Sequence, residues 1–321
     1  MENLNSTPEQ SSESDINDSF PPKPPLPGDE GAVRKLLFSL ALFVLAYYVF
    51  FNKDLRMMGL LVAVLLIHEL GHFLAMKYFR YSEVKMFFIP LLGAMVTGEK
   101  QEISQRQRAI ILLAGPVPGI IIGAVLYLAG IKLGSHQMLT AASIFIFLNA
   151  ANLLPLTPLD GGKLIETLFF QNQAILRNVF TFISAGVVTF LAIRYEIYTL
   201  LLIPFLMISR FTQYGTTKRI KDNLTAQGID YNKPYDQLSN REYWLIRDEV
   251  ISNISVFRNE NPGVYQVSPR ERQIVDQVRS LASRPQIPDL GIGGIILFVL
   301  IWAIFLGLPA AGMVMALYAR M

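Results

Sequence analysis

Met57-Met58-Gly59-Leu60-Leu61-Val62-Ala63-Val64-Leu65-Leu66-Ile67-His68-Glu69-Leu70-Gly71-His72 is an apolar run that closes on three ionisable side chains. The run has the composition of a membrane span, where charge is costly and usually functional. Positions four apart share a helix face, so His68 and His72 can offer two imidazole nitrogens to one metal ion. Glu69 borders that face and can act as base toward a water on the metal. The alternative is a chance pair of histidines, satisfied in a core or snorkelling at a helix end. It does not account for ionisable groups placed inside a span.

With 321 residues, 52% of them hydrophobic, and a mean hydropathy of +0.39, the chain is not an ordinary soluble domain. Several apolar runs are long enough to cross a bilayer. The expected fold is therefore an all-α polytopic membrane protein of about six or seven transmembrane helices. To these are added a small membrane-associated β-hairpin and a small cytoplasmic helical region. The net charge of +3 comes from dispersed basic residues, which argues against a nucleic-acid surface. The absence of cysteine excludes disulfides and thiolate ligands. Three histidines in all are too few for a membrane di-iron oxygenase.

Four segments follow along the chain. Residues 1–33 are acidic, then proline-rich at Phe20-Pro21-Pro22-Lys23-Pro24-Pro25-Leu26-Pro27, and predict a disordered tail that serves as a tether or as a ligand for an SH3-like domain. The first apolar run starts too late, behind too many acids, for a cleaved signal peptide. Residues 34–209 form the membrane-embedded core, with spans near 36–51, 57–79, 109–131, 139–156, 179–193 and 197–208. Within it, Val84 to Gly98 reads as two short strands hinged at Pro90 to Gly93, and Lys163 to Arg177 as a surface helix. Residues 210–289 are polar and predict a cytoplasmic helical region. Two capping boxes mark helix starts there, Ser239 to Glu242 and Ser268 to Glu271. Residues 290–321 supply a last span that Pro309 bends or divides.

Lys77, Arg80, Lys85, Lys100, Arg106 and Arg108 place the loop after the metal pair on the cytoplasmic side. Lys53 and Arg56, in the opposite loop, count mildly against this. A hydrolytic zinc takes three protein ligands and keeps one position for water. His136 falls at the far side of the membrane and is rejected as a ligand. Parity of crossings instead brings Asp160 to the depth of His68 and His72. Pro155 and Pro158 interrupt the helix before it, and Gly161 and Gly162 relieve the backbone after it.

His68-Glu69-x-x-His72, followed by Asn152-x-x-Pro155-x-x-x-x-Asp160-Gly161, resembles the site-2 protease family of intramembrane zinc metalloproteases, peptidase family M50. Gly115 to Gly119 and the preceding hairpin are similar to that family too. The resemblance covers roughly Leu60 to Leu168. It implies a three-span core, a zinc ion (Zn2+) held by His68, His72 and Asp160, and Glu69 as general base. It also implies cleavage of a membrane-protein substrate in or near its transmembrane helix, toward the cytoplasmic face of the bilayer. No PDZ domain separates the two motifs, and the stretch after Arg210 is too short for paired CBS repeats, so regulation through either is not carried over. Lys163 stands where relatives often show arginine.

Asn152 is expected to act catalytically, donating to substrate backbone or to a developing oxyanion. For Asn149, one turn earlier, that role and a plain interhelical contact stay open. The hairpin can either receive an unwound substrate as an added strand or plug the membrane surface. Two competing functions stand beside the protease. One is a prenyl-protein type peptidase using Glu166 or Glu196 as third ligand. The other is a non-catalytic zinc-binding membrane protein, either an inactive relative or a transporter. The oligomeric state is not legible.

Overall fold

Asp54 opens the helix that carries the quoted motif, its carboxylate accepting from the Arg56 and Met57 amides at 2.9 and 3.2 Å. The computed structural model describes residues 20–26, 31–50, 54–89, 93–100, 103–171, 173–282 and 287–318. Its elements are α1 (Ala32–Phe50), α2 (Leu55–Tyr78), β1 (Ser82–Ile89), β2 (Gly93–Glu99), α3 (Gln105–Ala114) and α4 (Pro116–Leu133). They continue with α5 (His136–Asn152), α6 (Asp160–Phe169), α7 (Ala174–Arg194), α8 (Leu202–Ala226), α9 (Asn240–Asn253), α10 (Glu271–Leu281) and α11 (Ile292–Tyr318).

Each expected span overlaps a helix, although the one expected over 139–156 stops at Asn152. Among the described residues, Leu55–Tyr78, Gln105–Leu133 and Ala174–Arg194 are long and apolar enough to cross a membrane, and Tyr198–Ile208 and Ile292–Gly307 are shorter apolar helices. The expected third span divides at Gly115 into α3 and α4, because Pro116 cannot continue a hydrogen-bond ladder and is instead suited to open a helix. The last span behaves differently, and α11 runs through Pro309. The helix expected over Lys163 to Arg177 begins earlier, at Asp160, and ends at Phe169.

The chain separates into two compact units. The first holds the described residues from Gly31 to Ile208 and from Ile287 onward. In it α4 and α5 form an antiparallel pair in which Gly119 faces Asn149, Gly123 faces Ile146 and Gly130 faces Leu139. Ala109, Leu112, Leu113, Ile120, Leu153, Leu164, Leu168 and Phe298 make its core. Trp302 Nε1 fastens α11 to the end of α5 by donating to the Leu153 carbonyl at 2.7 Å. Large apolar side chains stand outward instead, among them Ile121, Val125 and Leu128 on α4 and Phe182, Ile183 and Phe190 on α7. Such an outer surface suits lipid as solvent.

The hairpin lies in this unit. β1 and β2 pair antiparallel with Phe87 opposite Met95 and Phe88 opposite Ala94, over the range expected; its turn, 90–92, lies outside the described residues. Helix α1 covers the outer edge of β1, where Ser39 Oγ accepts from the Phe88 amide at 3.1 Å and the Phe43 and Phe88 rings meet.

The second unit comprises Phe20–Leu26 and the stretch from Arg210 to Ala282. Tyr243, Trp244, Ile246, Val250, Ile274, Val275 and Val278 anchor its core. The Ser239–Glu242 capping box is complete. The second is half-formed: Glu271 accepts from the Ser268 amide, while Ser268 Oγ takes the Arg270 amide. One expectation changes. Phe20–Leu26 is not a free tail, because Phe20 and Leu26 pack against this core; residues 1–19 lie outside the described residues.

Candidate metal centre

The buried residues of α2 are Val64, His68, Glu69 and His72, a single stripe along the helix. Leu70 and Leu74, by contrast, face outward at 46% and 57% exposure. This reverses the sidedness of a water-soluble helix and places three ionisable groups on the protein side. Asp160 meets them from α6, where it is the first helical residue and is buried. The loop 153–159 before it contains both prolines, which end the α5 ladder and let the chain turn back. A carboxylate at a helix N-terminus is also favoured by the helix dipole.

Asp160 Oδ2 lies 3.0 Å from His68 Nε2 and 3.1 Å from His72 Nε2, and the two imidazole nitrogens are 3.1 Å apart. The second carboxylate oxygen, Oδ1, faces Lys163 Nζ at 3.6 Å. The far side of each ring decides its tautomer. His72 Nδ1 is 2.8 Å from the Ile111 carbonyl, an acceptor only, so that nitrogen carries the proton and donates. His68 Nδ1 is 2.8 Å from Asn149 Oδ1; the Asn149 amide nitrogen donates to the Phe145 carbonyl, so its oxygen must receive from His68. Both rings are thereby anchored through Nδ1 with Nε2 turned inward, the arrangement that fixes metal-binding histidines.

Two nitrogens and a carboxylate oxygen therefore converge with no donor of their own, which calls for a cation among them. The fit to zinc is good. Two imidazole nitrogens and one carboxylate oxygen are donors that zinc takes, and their triangle, with separations of 3.0, 3.1 and 3.1 Å, would let all three reach one ion. Among the described residues this is the group of histidine and acidic side chains that can hold a metal.

Backbone without side chains makes room for the centre. A Cβ on Gly115 would stand 2.3 Å from His72 Nε2, and one on Gly119 would stand 2.2 Å from the Asn149 amide. The stretch Gly115 to Gly119 is thus the wall against which His72 and Asn149, the anchor of His68, both rest.

The other expected residues fall as follows. Glu69 is buried beside the ligands on α2. Asn152 lies outside the cluster, its amide donating to the Leu148 carbonyl of its own helix at 3.2 Å. Glu166 accepts from Thr157 Oγ1 at 2.9 Å and is not among the converging groups. Glu196 is exposed in the turn after α7. His136 opens α5 at the end away from Asn152, about 24 Å along the helix.

Sequence reasoning left Asn149 undecided and did not reach Gln105. The buried Gln105 amide donates to the Thr167 and Leu168 carbonyls at 2.9 and 3.3 Å, satisfying the end of the helix that begins with Asp160. For Asn149 the available signal was a polar residue in an otherwise apolar stretch of helix; Gln105 stands in the polar first turn Gln105-Arg106-Gln107-Arg108, and nothing in that turn set it apart.

Residues 57–139 match peptidase family M50. Stage IV sporulation protein FB of Bacillus subtilis is 27% identical over 185 residues, 54% of this chain and 64% of that protein. A zinc metalloprotease of Methanocaldococcus jannaschii is 27% identical over 163 residues, 49% of this chain and 47% of that protein. The chain thus spans less than two-thirds of the length of either relative. The solved site-2 protease from Methanocaldococcus jannaschii aligns at 20% identity and a TM-score of 0.41, over 53% of this chain and 83% of that one. The segment that carries the paired imidazoles therefore matches peptidase family M50, and about half of the chain is similar to a sporulation protein and to a zinc metalloprotease.

Proposed function

We propose that the chain is an intramembrane zinc metalloprotease that hydrolyses a peptide bond in or near a transmembrane helix of a membrane-protein substrate, toward the cytoplasmic face. The observation that carries this reading is the convergence of His68 Nε2, His72 Nε2 and Asp160 Oδ2 on the buried stripe that also holds Glu69. The basic residues between α2 and α3 support the orientation.

His68, His72 and Asp160 would hold the ion, which supplies Lewis acidity toward a water molecule and a scissile carbonyl when bound. Glu69 takes the water proton on its carboxylate and delivers it to the leaving amine. Asn149 and the Ile111 carbonyl keep both imidazoles in the ligating tautomer through the cycle. A substrate helix hides its amides in hydrogen bonds and must unwind before attack. The outer edge of β1 is met by α1, so an extended segment that joined the hairpin would add to β2. Asn152 Nδ2 gives one N–H to the Leu148 carbonyl, and an oxyanion role would use the second.

The test is incubation of the detergent-solubilised chain with a single-span substrate, with and without chelator. Cleavage should stop with chelator and return with zinc. Glu69→Gln should retain zinc and lower the rate by about 10²–10⁴-fold. A zinc-loaded parent that cleaves no single-span substrate would favour the non-catalytic zinc-binding alternative, and full activity in Glu69→Gln would remove that residue as base.

A further inference from the structure

Phe20–Leu26 lies in a groove of the second unit, and the groove is built for a proline run. Trp244 Nε1 donates to the Pro21 carbonyl at 2.7 Å, and Tyr235 Oη donates to the Pro24 carbonyl at 2.6 Å. These carbonyls are three residues apart, one turn of a polyproline helix, so they fall on one side of it. Between them Lys23 turns inward. Its ammonium donates to the carbonyls of Tyr235, Asp236 and Leu238 at 2.7, 2.9 and 2.6 Å and lies 5.2 Å from the centre of the Tyr235 ring. The Lys23 amide, the one backbone donor of Pro21 to Pro25, is taken by Asn240 Oδ1 at 3.0 Å. Phe20 closes one end against Tyr265, with ring centres 4.9 Å apart, and Pro24 is buried.

The chemistry is that of polyproline recognition. Proline fixes φ and lacks an N–H, so such a segment is preformed in extended shape and leaves its carbonyls unpaired. A receptor must supply aromatic faces and ring donors, as Trp244, Tyr235 and Tyr265 do here. The carbonyl cage adds selectivity, since its three acceptors match the three N–H donors of an ammonium and would be left unpaired by an apolar side chain. Pro21, Pro22 and Pro25 remain exposed, so the segment lies along the surface and is not threaded through a core.

We infer that residues 210–282 form a receptor for proline-rich segments with a central lysine, and that Phe20–Leu26 of the same chain is its resident, exchangeable ligand. Covalent attachment holds that ligand at a local concentration in roughly the millimolar range, so an external segment competes only when the tail is weakened or removed.

The test uses a fluorescein-labelled peptide of residues 18–28, read by anisotropy, and rests on no assumption about proteolysis. A chain lacking residues 1–26 should bind the peptide saturably, and the full chain should bind it at least tenfold more weakly. A peptide carrying Lys23→Ala should lose at least tenfold on the truncated chain. Should truncation unfold the unit, the full-length Lys23→Ala variant serves instead, because its loosened tail should admit the natural peptide. Equal binding to full and truncated chains overturns the inference. So does exclusion of the peptide by both the Lys23→Ala chain and a truncated chain that keeps the parent's circular dichroism. Binding to the full chain that rises on dilution would assign the tail to a second copy and overturn the cis arrangement.

Discussion

Replacing Asn149 by alanine removes the acceptor for His68 Nδ1–H and leaves that buried donor without a partner. An unsatisfied buried donor costs about 1–3 kcal/mol, and about 1.4 kcal/mol is tenfold in an equilibrium constant. The ring can escape the cost by moving its proton to Nε2, which abolishes it as a ligand, or by tilting away from the triangle. Either way the loss appears in metal binding, and about 10–100-fold weaker zinc affinity is expected, the usual effect of losing a ligand's supporting hydrogen bond. The facing residue, Gly119, has no side chain with which to compensate. Competition with a zinc-binding fluorescent chelator in detergent measures the affinity. Asn152→Ala is the control, since that amide bonds within its own helix, and it should stay within about twofold of the parent. Adding Gly119→Ala to Asn149→Ala refills part of the space without restoring an acceptor, so affinity should remain low. Parental zinc affinity in Asn149→Ala, or full recovery in the double variant, would refute the tautomer argument.

Asp160→Ala should abolish stoichiometric zinc by leaving two imidazoles without the carboxylate; metal content unchanged by mass spectrometry or atomic absorption would remove Asp160 from the ligand set. Gly115→Ala should also lose zinc, because its Cβ meets an imidazole held on both sides, whereas Gly59→Ala on α2 meets nothing within 4 Å and should gain up to about 1 kcal/mol of stability. In the second unit, burial alone would raise the Glu271 carboxyl. Arg247 at 2.8 and 3.0 Å, the Ser268 amide and the Tyr243 hydroxyl instead hold it below the ordinary glutamate value. Its folded pKa is thus the lower one, so the stabilisation is complete above about pH 4.3 and is lost as pH falls through the folded value. Glu271→Gln should cost about 3–5 kcal/mol at neutral pH and flatten this acid dependence. Denaturant titrations followed by Trp244 fluorescence, in a Trp302→Phe background, check both. A variant with the parent's acid slope would show that other groups carry it.

Helix periodicity is local, so the order of residues suffices to put His68, Glu69 and His72 on one stripe of α2 and to mark the prolines and glycines that bound Asp160. The hairpin and the helical segments were legible for the same reason, each depending on neighbours a few positions away. Asp160 could be reached across 92 positions only on the expectation of membrane spans, which would confine depth and count crossings as no water-soluble chain does. Nothing comparable marks which atom stands behind each imidazole. Asn149 and Asn152 are alike in sequence context, and only the packing of α5 on α2 and α4 gives one of them to His68. The same holds for Phe20–Leu26. Its prolines dictate an extended shape with bare carbonyls, but the donors that meet them lie more than 200 positions away, on Tyr235 and Trp244. Such partners are selected by the fit of whole helices, a sum of many small contacts that no single stretch of chain contains.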